Sequence, residues 1–147
     1  AILSPKTERN QQVTPEQLLY TKTHEWVDVK TDSAGAKTAT MGLTDFALKA
    51  LTDLVFIELP EVGRVVAAEE SFGEIESVKA VSDINAPVAG EITEINSAMV
   101  DNPDALSDDP YEAGWLVKIK IGDDSALAGL LDHAAYQKQC EAEAAEE

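Results

Sequence analysis

Features that would identify a function at once are scarce in this 147-residue chain. It has one cysteine, Cys140, so no disulfide can form within it, and its charged neighbours are typical of a free thiol. No apolar run approaches the roughly 18 residues that a membrane-spanning helix needs. Basic residues number 11 against 28 acidic ones, a net charge of −17. A surface of that sign repels phosphate and anionic lipid, which excludes nucleic acids and membranes as main partners.

Motifs of common catalytic and metal sites are missing as well. No cysteines and histidines have the spacing of zinc ligands, and there is no glycine-rich nucleotide loop and no serine nucleophile elbow. The two histidines, His24 and His133, lie far apart in sequence, and we interpret His24 in "THEWV" as structural rather than catalytic. The residues therefore give no support to an enzyme.

The composition does support a folded domain. Hydrophobic residues make up 44% of the chain, enough for the core of one domain of this length. We predict a flexible N-terminal segment at 1–13, a single domain over 14–136 and a solvated acidic tail over 137–147.

Local patterns predict a mainly β domain with helices near its ends. "TPEQLLY" (Thr14–Tyr20) has a capping-box pattern, and "TDFALKALTDL" (Thr44–Leu54) has Thr44 as N-cap and one apolar stripe. Ser97–Gly114 is rich in Asp, Asn and Pro, which predicts a long loop with one helical turn. The C-terminal part is helical in pattern. Strands are predicted over "HEWVDVK", "TATMGL", "LVFIELP", "GRVVAAE", "FGEIES", "GEITEIN" and "GWLVKIKI".

A weak internal repeat places one lysine between two similar units. "PEVGRVV" begins at Pro60 and "PVAGEIT" at Pro87, and each leads to a strand that opens with glycine. Two β units that each bury one face can pack as a two-sheet sandwich. Lys79 falls between the copies, so we expect it on a hairpin at one end of that sandwich.

The neighbours of Lys79 are small or apolar: Ser77, Val78, Ala80 and Val81. Turns usually recruit Gly, Asn, Asp, Pro or Ser, so turn chemistry leaves the valines unexplained. A lysine held out at a hairpin tip suits acylation by a modifying enzyme. A lysine in a continuous strand, with its ammonium reaching water, is the simpler interpretation, and the residues alone favour it.

Long stretches of the chain resemble the H proteins of the glycine cleavage system. The resemblance implies a mainly β fold, namely a lipoyl/biotinyl-type barrel-sandwich hybrid of two antiparallel sheets with quasi-two-fold symmetry, flanked by short helices and a C-terminal helix. It also implies that lipoic acid is attached to Lys79, within a motif formed by Glu76, Ser77, Val78 and Ala80. The matching stretches are "YTKTHEWV", "MGLTDFALKALTDLVFIELPEVG", "FGEIESVKAVSDINAPVAGEI" and "DDPYEAGWLVKIKI".

The resemblance implies a non-catalytic monomeric carrier. A pyridoxal-phosphate glycine decarboxylase (P protein) loads an aminomethyl group from glycine, and a tetrahydrofolate-dependent aminomethyltransferase (T protein) unloads it. A dihydrolipoyl dehydrogenase (L protein) reoxidises the arm, and a lipoyl-attaching enzyme installs it. A lysine stem plus lipoyl chain extends about 10–15 Å, so one tethered group visits several active sites at high effective concentration.

By matching positions, the resemblance implies that Thr23, Glu25 and Asp83 line a cleft for the loaded arm. A carboxylate there would hold the protonated aminomethyl group by a charge-assisted hydrogen bond, although ordinary exposed acids are the alternative for Glu25 and Asp83. The tail "QKQCEAEAAEE" resembles those of plant-type mitochondrial H proteins, and the chain opens without Met. We therefore expect the mitochondrial matrix and a link to photorespiration, with the bacterial cytoplasm as the alternative.

Four other functions fit parts of the sequence. A biotin carrier typically has methionines beside its lysine, whereas Met41 and Met99 lie elsewhere. A lipoyl domain of a 2-oxoacid dehydrogenase typically has aspartate before the lysine and lacks "THEWV". A protein that relays octanoyl or lipoyl groups would have this same sequence. An unmodified interaction module would carry nothing on Lys79.

Overall fold

The computed structural model describes residues 14–145, so the predicted flexible segment 1–13 lies outside the described residues. Within them the chain forms a two-layer β structure with short helices around it. Its nine strands are β1 (Leu19–Tyr20), β2 (Glu25–Thr31), β3 (Lys37–Leu43), β4 (Leu54–Glu58), β5 (Val65–Val66), β6 (Ser71–Ser77), β7 (Val81–Asn85), β8 (Ala89–Ile95) and β9 (Val117–Asp123).

The strands build two antiparallel sheets that enclose one core. The larger sheet has the order β1-β2-β3-β9-β8-β5, and the smaller one has the order β4-β6-β7. Apolar residues alternate along the strands, so each sheet turns one face inward. The larger sheet contributes Val27, Met41 and Ile119 to the core, and the smaller one contributes Ile57 and Ile75. The predicted fold class, a mainly β structure of two antiparallel sheets, is confirmed.

The repeat seen in the sequence has a structural counterpart. β5 forms the end of the first proline-glycine copy, β8 begins within the second, and these two strands pair with each other. Val65 lies opposite Glu91, and Val66 lies opposite Gly90. β6 and β7, the hairpin that joins the copies, lie in the smaller sheet with Lys79 at its tip.

The helices are α1 (Asp45–Leu51), α2 (Ser97–Asp101), α3 (Asp104–Asp108) and α4 (His133–Ala145), with 3₁₀ turns at Pro15–Gln17 and Ser125–Gly129. The N-cap prediction for Thr44 is confirmed, since its hydroxyl accepts a hydrogen bond from the Ala47 amide. No helix within residues 14–145 is long and apolar enough to cross a membrane, and the same residues contain no cluster of metal-ligating side chains.

Several local predictions need correction. The first helix ends at Leu51, because Thr52 takes a positive φ of 70° and the chain turns into β4. The Thr14 side chain makes no capping bond, and only a 3₁₀ turn follows it. The predicted loop over Ser97–Gly114 contains two short helices. β7 was not predicted, because "VSDIN" lacks an alternating apolar pattern. Ile84 is its only buried residue.

The part of the predicted acidic tail that the structure describes, residues 137–145, belongs to the C-terminal helix. α4 continues through the predicted tail to Ala145, and its Tyr136 is buried in a small cluster with Leu18, Tyr20 and Trp26. Cys140 packs at the edge of this cluster. Burial raises the pKa of its thiol, so the cysteine lies in an environment that disfavours the reactive thiolate.

Candidate functional site

Lys79 lies exposed at the tip of the β6–β7 hairpin, as the repeat predicted. Glu76 and Val81 form the last register pair of the two strands, and the Ser77 amide donates to the Ala80 carbonyl at 2.7 Å. Val78 and Lys79 are therefore the two loop residues. The interpretation of Lys79 as a residue within a continuous strand is wrong.

Ser77 explains how this tip forms without glycine or asparagine. Its buried hydroxyl oxygen accepts hydrogen bonds from the amides of Lys79 (3.3 Å) and Ala80 (3.1 Å). The Val78 amide donates to the Asp53 carbonyl at 2.9 Å. Neither loop residue has a positive φ. The serine thus supplies the turn chemistry, and the side chains of Val78 and Lys79 are free of any role in closing the turn.

Apolar side chains lie exposed around the lysine. Phe56, Glu76 and Val81 form one cross-strand row over β4, β6 and β7, so their side chains share the outer face of the small sheet. Phe56 is 50% exposed, Val81 57% and Val78 73%. Exposed apolar side chains grouped on one face of a sheet are typical of a contact surface for another protein.

The next outward-facing row of the same sheet is entirely acidic. Glu58, Glu74 and Asp83 lie opposite one another on β4, β6 and β7, and all three are exposed. None of the ion pairs described in residues 14–145 involves them. Like charges directly opposite each other destabilise a sheet. The acidic row therefore lowers the stability of the isolated protein, and positive charges on a partner would relieve the repulsion.

Glu25 lies at the start of β2 and joins the two sheets. Its carboxylate accepts hydrogen bonds from the hydroxyls of Thr21 and Thr23, both at 2.5 Å to Oε1. Oε2 accepts from the backbone amide of Asn85 at 3.1 Å and from its side-chain amide at 3.4 Å. Asn85 ends β7, an edge strand of the small sheet. The glutamate thus binds the end of the strand whose other end follows Lys79.

This carboxylate is buried without a counter-charge. The residue is 0% exposed, and none of the ion pairs described in residues 14–145 includes it. Burial raises its pKa, while the hydrogen bonds from Thr21, Thr23 and Asn85 act in the opposite direction. Four donors match the acceptor capacity of an ionised carboxylate. The hydrogen bonds thus favour the ionised carboxylate, whereas burial, the larger effect, favours its protonated form.

A cavity of about 460 Å³ opens beside Glu25. One wall is the turn from Thr21 to Glu25, and another is the segment from Ser125 to Leu130. The structure brings Thr23 and Glu25 together here, as the resemblance implied. Asp83 is not in the lining but lies on β7 between Lys79 and Asn85.

Two residues of the site were not predicted from the sequence, Thr21 and Asn85. Thr21 had a local signal, because Thr21, Thr23 and Glu25 are spaced two apart before a strand. Asn85 had none, since it is 60 residues from the carboxylate that it binds.

Comparisons with known proteins agree with this fold. A model of the glycine cleavage H-protein family matches residues 18–143. The glycine cleavage system H protein of Rhodopirellula baltica is 50% identical over 126 residues, which cover 86% of this chain and 94% of that protein. The H protein of Halorhodospira halophila is 50% identical over 124 residues, covering 84% and 92%. The crystal structure of the H protein from Mycobacterium marinum has a TM-score of 0.74 at 42% identity, covering 86% of this chain and 98% of that one.

These comparisons bear on the expected location as well. The relatives named are bacterial, so they support the bacterial alternative and give no support to the mitochondrial matrix or to photorespiration. The family model extends over most of the described residues, from β1 into α4. The chain belongs to the glycine cleavage H-protein family.

Proposed function

We propose that the chain is the lipoyl carrier of a glycine cleavage system, with lipoic acid attached to Lys79. The observation that carries this proposal is the position of Lys79, exposed at a hairpin tip in a member of this family. The lysine makes no ion pair among those described in residues 14–145. Its amine is therefore open to an acylating enzyme, and neighbouring Ser77 holds the tip in shape.

The lipoyl group would supply a dithiolane whose sulfur accepts and releases the aminomethyl cargo. The protein's own residues hold and shield that cargo. Asn85 lies about 20 Å along the strand from Lys79. The arm extends about 10–15 Å, and the aminomethyl group adds about 3 Å at ordinary bond lengths. The loaded arm therefore approaches Glu25 only when it is fully stretched along β7, and Asp83 lies on its path.

At the end of that path, three oxygen atoms fit an ammonium group. Glu25 Oε1 and the two hydroxyl oxygens of Thr21 and Thr23 lie within hydrogen-bond distance of one another. A primary ammonium has three N–H donors and would supply the missing counter-charge. Rotation of the two threonine hydroxyls would release acceptor positions for it. The residues thus fit a carrier that protects a cationic cargo without catalysing a reaction.

Partner enzymes have to contact the surface around Lys79. The exposed row of Phe56, Glu76 and Val81 and the acidic row beyond it suit partners with an apolar patch bordered by basic residues. On this proposal the P, T and L proteins and the lipoyl-attaching enzyme use this face in turn. The P protein would load the arm, the T protein would unload it and the L protein would reoxidise it. The lipoyl-attaching enzyme would install it.

Attachment itself is tested by mass spectrometry. After incubation of the unmodified protein with a lipoyl-attaching enzyme, lipoate and ATP, we expect the intact mass to rise by one lipoyl group. Peptide mapping should place it on Lys79. A lipoyl group on another lysine, a biotin group on Lys79 after incubation with a biotin ligase, or no gain in mass while a control H protein is modified would contradict the proposal.

Neutralising the acidic row should slow attachment yet stabilise the fold. Glu74→Gln removes the central charge of three, so we expect the free energy of unfolding to rise by about 0.2–1 kcal/mol. The rate of lipoyl attachment should fall about two- to threefold at low ionic strength and recover in high salt. Glu91→Gln, on the exposed face of the larger sheet, is the matched control and should keep its rate. Equal rates for both variants at low salt would reject the docking role of the row.

A further inference from the structure

The turn that carries Glu25 is tied to the C-terminal helix by a chain of hydrogen bonds that the carrier function does not explain. His24 contacts Glu143 through Nε2 at 2.9 Å and Tyr136 through Nδ1 at 2.7 Å. The Tyr136 hydroxyl contacts the Thr44 hydroxyl at 2.6 Å, and Thr44 accepts from the Ala47 amide at 3.2 Å. This series of hydrogen bonds thus joins α4, the Thr21–Glu25 turn and the start of α1.

For an imidazole that carries one proton, the chemistry of the groups gives one consistent direction to every bond. A carboxylate only accepts, so Glu143 requires a proton on His24 Nε2. Nδ1 of a neutral imidazole is then an acceptor, and the Tyr136 hydroxyl donates to it. Burial raises the pKa of Tyr136, which keeps the phenol proton available for this bond. The Tyr136 oxygen in turn accepts from Thr44, whose own oxygen accepts from the Ala47 amide. An imidazole with its single proton on Nε2 satisfies every hydrogen bond in this series.

Three further contacts hold the same turn. The Gln139 side chain donates to the Lys22 carbonyl at 2.8 Å, and the imidazole stacks on Phe46 with ring centroids 4.9 Å apart. His24 has a positive φ of 74°, which is uncommon for a residue other than glycine. The Thr44 amide also donates to the His24 carbonyl at 3.1 Å. The residue directly before Glu25 is therefore held from both its backbone and its side chain.

We propose that His24 is a positioning residue for Glu25: its imidazole fixes the Thr21–Glu25 turn against α4 and thereby sets the geometry of the oxygen atoms that hold the cargo. This inference rests on the proposed function, because it assigns His24 a role in the cargo site. It also gives α4 a role, since Glu143, which is 119 positions from His24 in sequence, helps to keep that turn in place.

The first test measures which ring nitrogen of His24 carries the proton in the unlipoylated protein. Nitrogen NMR of the His24 ring should show Nε2 protonated and Nδ1 unprotonated at neutral pH. Tyr136→Phe removes only the hydroxyl and keeps the stacking on Tyr20, so Nδ1 loses its donor and a mixture of tautomers should appear. A wild-type ring protonated on Nδ1 would overturn the assignment.

The second test reads the position of Glu25 through its partner. The Asn85 amide donates to Glu25, so its proton chemical shift should move in His24→Asn and in Glu143→Gln. Asparagine tolerates a positive φ, so His24→Asn removes the side-chain contacts while keeping the backbone preference. Glu141→Gln makes the same charge change on an exposed position of α4 and should leave that shift in place. No movement of the Asn85 amide in either test variant would overturn the proposal.

The third test asks whether His24 acts through Glu25. In lipoylated, loaded protein we expect His24→Asn to shorten the lifetime of the bound aminomethyl cargo about two- to tenfold. In a Glu25→Gln background the same change should have no further effect, because the two residues are coupled. Equal shortening in both backgrounds would reject a positioning role. If Glu25→Gln alone leaves the lifetime unchanged, the proposed cargo site fails, and the Asn85 amide alone decides whether His24 positions Glu25.

Discussion

Lys79→Arg should eliminate glycine-cleavage turnover while leaving the fold intact. Arginine keeps the positive charge at the hairpin tip, but its guanidinium is not acylated by a lipoyl-attaching enzyme. Without a tethered arm the partners depend on free diffusing lipoate, and we expect the rate to fall by about 10²–10⁴-fold. The side chain is exposed and makes no ion pair described in residues 14–145, so the free energy of unfolding should change by less than about 0.5 kcal/mol.

The measurement is the coupled reaction of glycine with all partner components, alongside chemical denaturation of each variant. Lys120→Arg is the matched control, because Lys120 is also an exposed lysine but lies on β9 in the other sheet. It should keep wild-type turnover. Lys79→Arg protein that still supported turnover would remove the carrier assignment, and loss of turnover in both variants would show that the effect does not depend on position 79.

The features that the sequence could predict depend on residues close together in sequence or on the internal repeat. The two proline-glycine copies placed Lys79 between two β units, and the pairing of β5 with β8 confirms that arrangement. Thr44 was predicted as a helix cap because capping involves residues only three apart in sequence. The tip around Lys79 was harder to interpret, because one buried hydroxyl, that of Ser77, replaces the usual turn residues.

The rest depends on contacts between residues far apart in sequence, which no local pattern reports. Glu25 is a buried anion only because β7 of the other sheet ends against it, with Asn85 as donor. Composition alone predicts a solvated acidic tail, yet Glu143 and Gln139 bind the turn before β2. Tertiary contacts therefore override the composition of α4, whose acidic residues alone would favour a frayed end.

Glu25→Gln should raise the stability of the fold and shorten the lifetime of the bound aminomethyl cargo. Burial raises the pKa of Glu25, so its ionisation costs folding free energy. The protonated Glu25 carboxyl contributes to the free energy of unfolding at acidic pH, and this contribution is lost as the pH rises through the raised pKa. Glutamine has no charge to bury, and its amide can donate to the threonine oxygens while its carbonyl accepts from Asn85. We therefore expect a higher Tm than wild type at neutral pH, and a smaller difference as pH falls below the ordinary range of a glutamate.

Glu25→Ala provides the contrast, because it leaves the Asn85 amide without its acceptor in a buried place and should cost about 1–3 kcal/mol. Both variants remove the counter-charge, so the aminomethyl cargo should be lost from either loaded carrier about ten- to a hundredfold faster, since a charge-assisted hydrogen bond contributes about 1.5–3 kcal/mol. Glu69→Gln, an exposed acid in the same cavity, is the control and should keep the wild-type lifetime. A loaded Glu25→Gln carrier as long-lived as wild type would show that the buried charge does not hold the cargo. The combination of higher stability with faster loss of cargo is the result that only a cation-holding carboxylate explains.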